Sequence, residues 1–105
     1  MDRLKNKEIY EVLLKFISAV KAKYNVEAII LFGSYAKGTE NENSDIDIAV
    51  VLNDNIDIYD CMADLMGLTW DIDARIEPHP IKKKDYDNKS DYFIEEVINT
   101  GIKVA

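Results

Sequence analysis

Along the first quarter of the chain Ile9, Val12, Leu13, Phe16, Ile17, Val20 and Tyr24 return every three or four residues, while Glu11 and Lys15 stand four apart on the other side. That spacing predicts an amphipathic helix over residues 4–24, with Asn25 as a left-handed stop. The pattern then changes. Residues 26–32 read Val-Glu-Ala-Ile-Ile-Leu-Phe, short, branched and nearly all apolar, as a strand buried on both faces would be. A small, polar stretch with Gly33 and Gly38 follows. Residues 45–52 then alternate at first and finish wholly apolar, which predicts a second strand. Residues 53–55 are a turn cluster, after which Asp57 is placed to cap a helix carrying Tyr59, Met62, Leu65 and Met66 on one side until Gly67 breaks it. Residues 69–77 alternate strictly, with Trp70, Ile72, Ala74 and Ile76 opposed to Asp71, Asp73, Arg75 and Glu77, and predict a third strand with a charged face. Pro78-His79-Pro80 would end it, since neither proline donates to a ladder. A basic loop at residues 82–84 leads to a last helix, capped at Ser90 or Asp91 and closed by Gly101. The predicted order is α-β-β-α-β-α, an α/β (α+β) fold with a small mixed sheet flanked by helices.

Length and composition narrow the class. The 105 residues predict one domain spanning 1–105, and 48% apolar residues with only four glycines and two prolines exclude a disordered or low-complexity chain. The longest apolar runs are five residues, far short of the roughly 20 that span a bilayer. The charged start Met-Asp-Arg-Leu-Lys lacks the apolar centre of a secretory signal, so a cytoplasmic location is expected. Cys61 is the one cysteine, without a second for a disulfide or a metal pair, and reads as a small buried apolar residue. The net charge of −7 argues against gripping nucleic acid through bulk charge; a polyanionic ligand would need a local counter-charge.

Such a remedy is available in one segment. Gly33-Ser34 closes the first strand, and a glycine there lets a phosphate approach backbone N–H groups, with the serine hydroxyl as a further donor. Asp45 and Asp47, two apart on the second strand, direct their carboxylates to the same face with Cα atoms roughly 6–7 Å apart. Either feature alone is ordinary, because an isolated Asp-x-Asp is commonly a solvated strand face. At the start of an otherwise apolar strand, however, two like charges require a counter-charge, and Mg²⁺, which takes one or two carboxylates plus phosphate oxygens and water, suits the pair. Lys37 is a candidate phosphate contact, although a loop lysine is ordinarily solvated. His79, between two prolines at a strand end, reads as a turn residue rather than a catalytic base, and Mg²⁺ does not favour imidazole.

Gly33-Ser34, ten intervening residues, then Asp45-x-Asp47 resembles the G-S-x10-D-x-D pattern of the DNA polymerase beta nucleotidyltransferase superfamily. The run GSYAKGTENENSDIDIAV is similar to its minimal nucleotidyltransferase (MNT) branch. The resemblance implies a nucleotidyltransferase fold, transfer of a nucleoside monophosphate from an NTP with release of pyrophosphate, and two Mg²⁺ held by three carboxylates. Asp45 and Asp47 would be two of these. The third should come from the neighbouring strand, where the reading Ile72-Asp73-Ala74-Arg75 favours Asp73, with Asp71 as the alternative; the same acids would otherwise form a surface charge ladder with Arg75 and Glu77. Gly33, Ser34 and Lys37 would bind the nucleotide.

The same resemblance implies an ATP-binding antitoxin of the MNT type that adenylylates a hydroxyl of a helical HEPN toxin. The shortness of the chain supports an acceptor brought by another molecule. Two alternatives differ in class: a binding module that neutralises its HEPN partner by complex formation alone, and a small-molecule nucleotidyltransferase. Transfer of label from ATP separates the first of these from the enzyme; aminoglycosides or RNA ends as acceptors test the second. Tyr10, Tyr92 and Phe93 either cap the core of this domain, as preferred, or form a partner or homo-oligomer surface.

Overall fold

The computed structural model describes residues 4–53 and 55–105. The expected turn at Asp54 and the charged start at Met1 to Arg3 lie outside them. Helix α1 (Tyr10–Lys21) follows a 3₁₀ turn at Lys7–Ile9, entered where the Asn6 side chain accepts the Glu8 N–H at 2.9 Å. This cap makes the helix shorter than the periodicity predicts. Its exit is at Ala22, and Asn25 is not left-handed: among the described non-glycine residues only Lys89 has a positive φ.

Strands β1 (Val26–Phe32) and β2 (Ile46–Leu52) form as expected and pair antiparallel, joined through a four-residue helix α2 (Ser34–Lys37) and the polar loop after it. Helix α3 (Ile58–Ile72) starts where Asp57 accepts the N–H groups of Tyr59 and Asp60 at 2.9 and 3.0 Å. It continues through Gly67, the expected end of the helix. An exposed glycine costs a helix only about 1 kcal/mol relative to alanine, and α3 offsets that by burying Cys61, Leu65 and Thr69 along one side.

The strictly alternating stretch also departs from the expected strand. Residues 69–72 are the last turn of α3, leaving Trp70 exposed, and the third strand, β3 (Ile76–Lys82), contains the Pro-His-Pro that was expected to end it. The sheet order β3-β2-β1-β4, in which β4 is the two-residue strand Ile102–Lys103, explains why this is tolerated. Two prolines spaced two apart lose their donors on the same side, which on an edge strand is the side without a partner. Helix α4 (Lys83–Asp87) replaces the expected basic loop, and α5 (Tyr92–Thr100) begins where Asp91 accepts the Ile94 N–H at 2.9 Å and ends at Gly101. A two-residue strand β4 (Ile102–Lys103), absent from the predicted order, pairs antiparallel with β1.

Helices cover both faces of this mixed sheet. On one face Leu13, Phe16 and Val20 of α1 and Cys61 and Leu65 of α3 pack on Ile29, Leu31, Ile48, Val50 and Leu52. On the other, Ile94 and Val97 of α5 pack on Ala28, Ile30, Ala49, Val51 and Ile81. The period of two along each central strand thus divides its apolar residues between two cores. Tyr24 hydrogen-bonds the Asp64 carboxylate at 2.6 Å, tying the exit of α1 to α3. No helix among the described residues is long and apolar enough to cross a membrane.

Candidate active site

Asp47 belongs to the strand set that faces α5, and its position follows from register. In the antiparallel pair it lies opposite Phe32, the last residue of β1; in the parallel pair it lies opposite Glu77 of β3. Gly33 comes next in the chain after Phe32, with φ 71° and ψ −153°, a region open essentially only to glycine. A Cβ on Gly33 would also run into the Asp47 carboxylate. The glycine therefore serves two ends, turning the chain into α2 and leaving room for the acid beside it.

Three carboxylates meet here. Asp45, exposed at the entrance to β2, contacts the Glu77 side chain, and Glu77 stands beside Asp47 on the paired strand. Burial raises the Asp47 carboxyl above its ordinary value, with the charge of Asp45 adding to the rise and His79 opposing it. Glu77 is raised too, by burial first, then by the hydrogen-bonded contact with Asp45 and the charge of Asp47. Mutual repulsion at this spacing is what a bound cation would relieve.

His79, expected in a turn, is on the same face two residues beyond Glu77. Its Nε2 lies 3.5 Å from Asp47 Oδ1 and 3.7 Å from Glu77 Oε1, and it is shielded from solvent with no hydrogen-bond partner. Ligand atoms of Asp47, Glu77 and His79 all fall within 4.8 Å of one another. The donor set therefore fits a divalent cation. An open cleft of about 380 Å³ adjoins it, lined by Asp45, Glu77 and His79 at its polar end and by Met62, Met66 and Pro78 along its apolar wall.

The sequence-derived third acids lie elsewhere. Asp71 is exposed in the last turn of α3, and Asp73 is the residue that ends that helix. Asp73 is held by Arg75: Nη2 donates to Oδ2 at 2.7 Å, Nε to Oδ1 at 3.0 Å, and the Arg75 N–H to Oδ1 at 2.9 Å. That contact keeps the Asp73 carboxyl below its ordinary value. Arg75 Nη1 also donates to Tyr35 Oη at 3.3 Å, so the pair fastens the α3–β3 turn to α2. With 69–72 helical, the acid that the parallel pairing sets opposite Asp47 is Glu77, four residues beyond Asp73; it belongs to the charged side of the alternating stretch, and the strand pairing singles it out.

Ser34 opens α2 directly after Gly33. Lys37, at the other end of that short helix, is exposed and lies 3.5 Å from Glu96 of α5. Of the aromatic residues proposed to cap the core, Tyr10 packs against it and Phe93 packs on Phe32 and His79, whereas Tyr92 points outward, 90% exposed.

The profile of the family described as "Polymerase beta, Nucleotidyltransferase" matches residues 15–105. A Methanocaldococcus jannaschii relative, named a putative protein adenylyltransferase, is 37% identical over 86 residues, covering 73% of this chain and 86% of its own. Among solved structures, a toxin–antitoxin MntA–HpeT mutant superposes with a TM-score of 0.64 at 26% identity, covering 89% of this chain and 71% of the other. A toxin–antitoxin structure with AMP-PNP superposes with a TM-score of 0.63 at 26% identity, covering 90% and 71%.

Proposed function

Because the chain belongs to the polymerase beta nucleotidyltransferase family, we propose that it transfers AMP from ATP to a hydroxyl of a partner protein, with Asp45, Asp47 and Glu77 as the three carboxylates that hold two Mg²⁺. The observation that carries this reading is the in-register pairing of Asp47 with Glu77, with Asp45 in contact and Gly33 packed against the Asp47 side chain. Bound Mg²⁺ supplies charge neutralisation on the phosphates and polarises the phosphorus under attack.

The backbone around Gly33 and the Ser34 hydroxyl receive the terminal phosphates, and Lys37, whose exposed pairing with Glu96 is weak, turns to meet them. Glu77, in register beside Asp47, accepts the proton as the acceptor hydroxyl oxygen bonds to the α-phosphorus. The bond to the bridging oxygen of pyrophosphate breaks, and pyrophosphate leaves with its electron pair. Asp73 serves the fold here, fixing Arg75 and the turn into β3. Relatives named as protein adenylyltransferase and as part of a toxin–antitoxin pair favour a protein acceptor, and a helical HEPN-type toxin is the partner we assign.

The test incubates the protein with Mg²⁺, labelled ATP and the protein encoded beside it. Native chain should label the partner; Asp47→Asn and Glu77→Gln should each lower the rate by at least about 100-fold, the scale of a lost general base or charge stabiliser. Asp73→Asn should leave it near native. Label retained by Glu77→Gln and lost by Asp73→Asn would return the third acid to Asp73. An unlabelled partner that still forms a stable complex would support the binding-module reading, which the exposed Tyr59 and Trp70 on α3 favour as a contact surface.

A further inference from the structure

We propose that His79 is a metal ligand: its Nε2 joins Asp47 and Glu77 to make a nitrogen-containing position that prefers Co²⁺, Ni²⁺ or Zn²⁺ to Mg²⁺. The inference rests on reading Asp47 and Glu77 as metal-holding residues. A polymerase-type site built only from carboxylates offers hard oxygen donors, which suit Mg²⁺. This chain sets an imidazole among them.

The geometry fits a small transition ion. A tetrahedral centre with bonds of about 2.0–2.1 Å keeps its ligand atoms about 3.3 Å apart. Here Nε2 stands 3.5 Å from Asp47 Oδ1 and 3.7 Å from Glu77 Oε1, within a few tenths of an ångström of that spacing, and the two carboxylate oxygens lie within 4.8 Å of each other, so an ion would draw them together. The nitrogen is shielded from water, and the two carboxylates that face it stand at the long edge of hydrogen-bond reach, so a cation between them would satisfy all three groups better. The ring is also held in place. Phe32 meets it edge-on at 5.1 Å and Phe93 packs at 5.4 Å, while the residue opposite on β2 is Ala49, whose methyl leaves the imidazole room to lean toward Asp47. Imidazole raises affinity for the later first-row ions, whereas Mg²⁺ gains little from it.

His79 is the only histidine of the chain, so its nitrogen signals need no assignment by mutation. On tag-free protein labelled with ¹⁵N-histidine, one equivalent of Zn²⁺ should shift the Nε2 resonance strongly, and Mg²⁺ should not. Equilibrium dialysis should find Co²⁺ bound more tightly than Mg²⁺ by the native chain. His79→Asn should weaken Co²⁺ at least about tenfold, the lower end of what even an outer-shell partner of a metal ligand is worth, and leave Mg²⁺ unchanged. An unshifted Nε2 signal with Zn²⁺, or equal losses of Co²⁺ and Mg²⁺ in His79→Asn, would overturn the proposal; should that variant fail to fold, the native nitrogen spectrum decides alone. Asp47→Asn and Glu77→Gln separate the two levels of inference. If they abolish Mg²⁺ binding while His79 stays silent, only the histidine's part fails; if they leave all metal binding intact, the metal-site reading falls and the histidine with it.

Discussion

Asp47 and Gly33 are locked together by one contact, and each constrains what the other position tolerates. Gly33 has a backbone conformation that side-chain-bearing residues scarcely adopt, and any Cβ there meets the acid. Gly33→Ala should therefore cost about 1–3 kcal/mol in denaturant unfolding and reduce nucleotidyl transfer at the same time, by pushing the Asp47 carboxylate out of line. Asp47→Asn should behave oppositely in the two assays. Burial and the charge of Asp45 make the ionised form of Asp47 unfavourable, so the isosteric amide should raise the unfolding midpoint in EDTA at neutral pH while removing transfer activity and, on the proposed metal site, the shift produced by added Mg²⁺. A midpoint that falls in EDTA would mean that the acid is structurally satisfied without a cation.

At the scale of elements, the junction between α3 and β3 decides which acid comes to lie beside Asp47. Asp73 ends the helix and clamps Arg75, whose guanidinium reaches Tyr35. The folded state lowers the Asp73 carboxyl, so its contribution to stability is present above the ordinary carboxylate value near 3.8 and is lost as pH falls through the lower folded value. Asp73→Asn should abolish that part of the acid slope in a pH series of unfolding curves. Gly67 offers a second element-level test. It is an exposed mid-helix position with nothing within 4 Å of an added Cβ, so Gly67→Ala should stabilise the protein by about 0.5–1 kcal/mol, read as a higher thermal midpoint with transfer unchanged.

Over the whole molecule, two cores on opposite faces of one sheet hold the site at the end of the β1–β2–β3 ladder, where antiparallel and parallel pairing meet. The outer side of α3 is left with Tyr59, Met66 and Trp70 at 86%, 39% and 75% exposure, close to the cleft that runs to Glu77. Replacing Tyr59 and Trp70 together by serine should change stability by no more than about 0.5 kcal/mol and weaken capture of the partner protein, measured by titration calorimetry. Unaltered binding would move the partner to another face.

Periodicity alone located α1, β1, β2 and α5, because their patterns reflect burial that each segment carries in its own residues, and the Gly33-Ser34 to Asp45-x-Asp47 spacing lies within one strand–loop–strand unit. The later part was harder to read. Residues 69–72 alternate like a strand but continue α3, since Leu65 and Thr69 on the same helix side were already committed to the core. Pro78 and Pro80 look like breakers until the sheet order makes β3 an edge. The choice among Asp71, Asp73 and Glu77, and the move of His79 from a turn into the site, depended on which residue of β3 pairs with Asp47. The sequence by itself determined the residues whose positions are set by local covalent spacing: Gly33, Ser34, Asp45 and Asp47. Only the tertiary structure decided that Glu77 and His79 stand beside Asp47, because a parallel pairing joins strands far apart in the chain, and a register shift changes which side chain arrives without changing the composition of either strand.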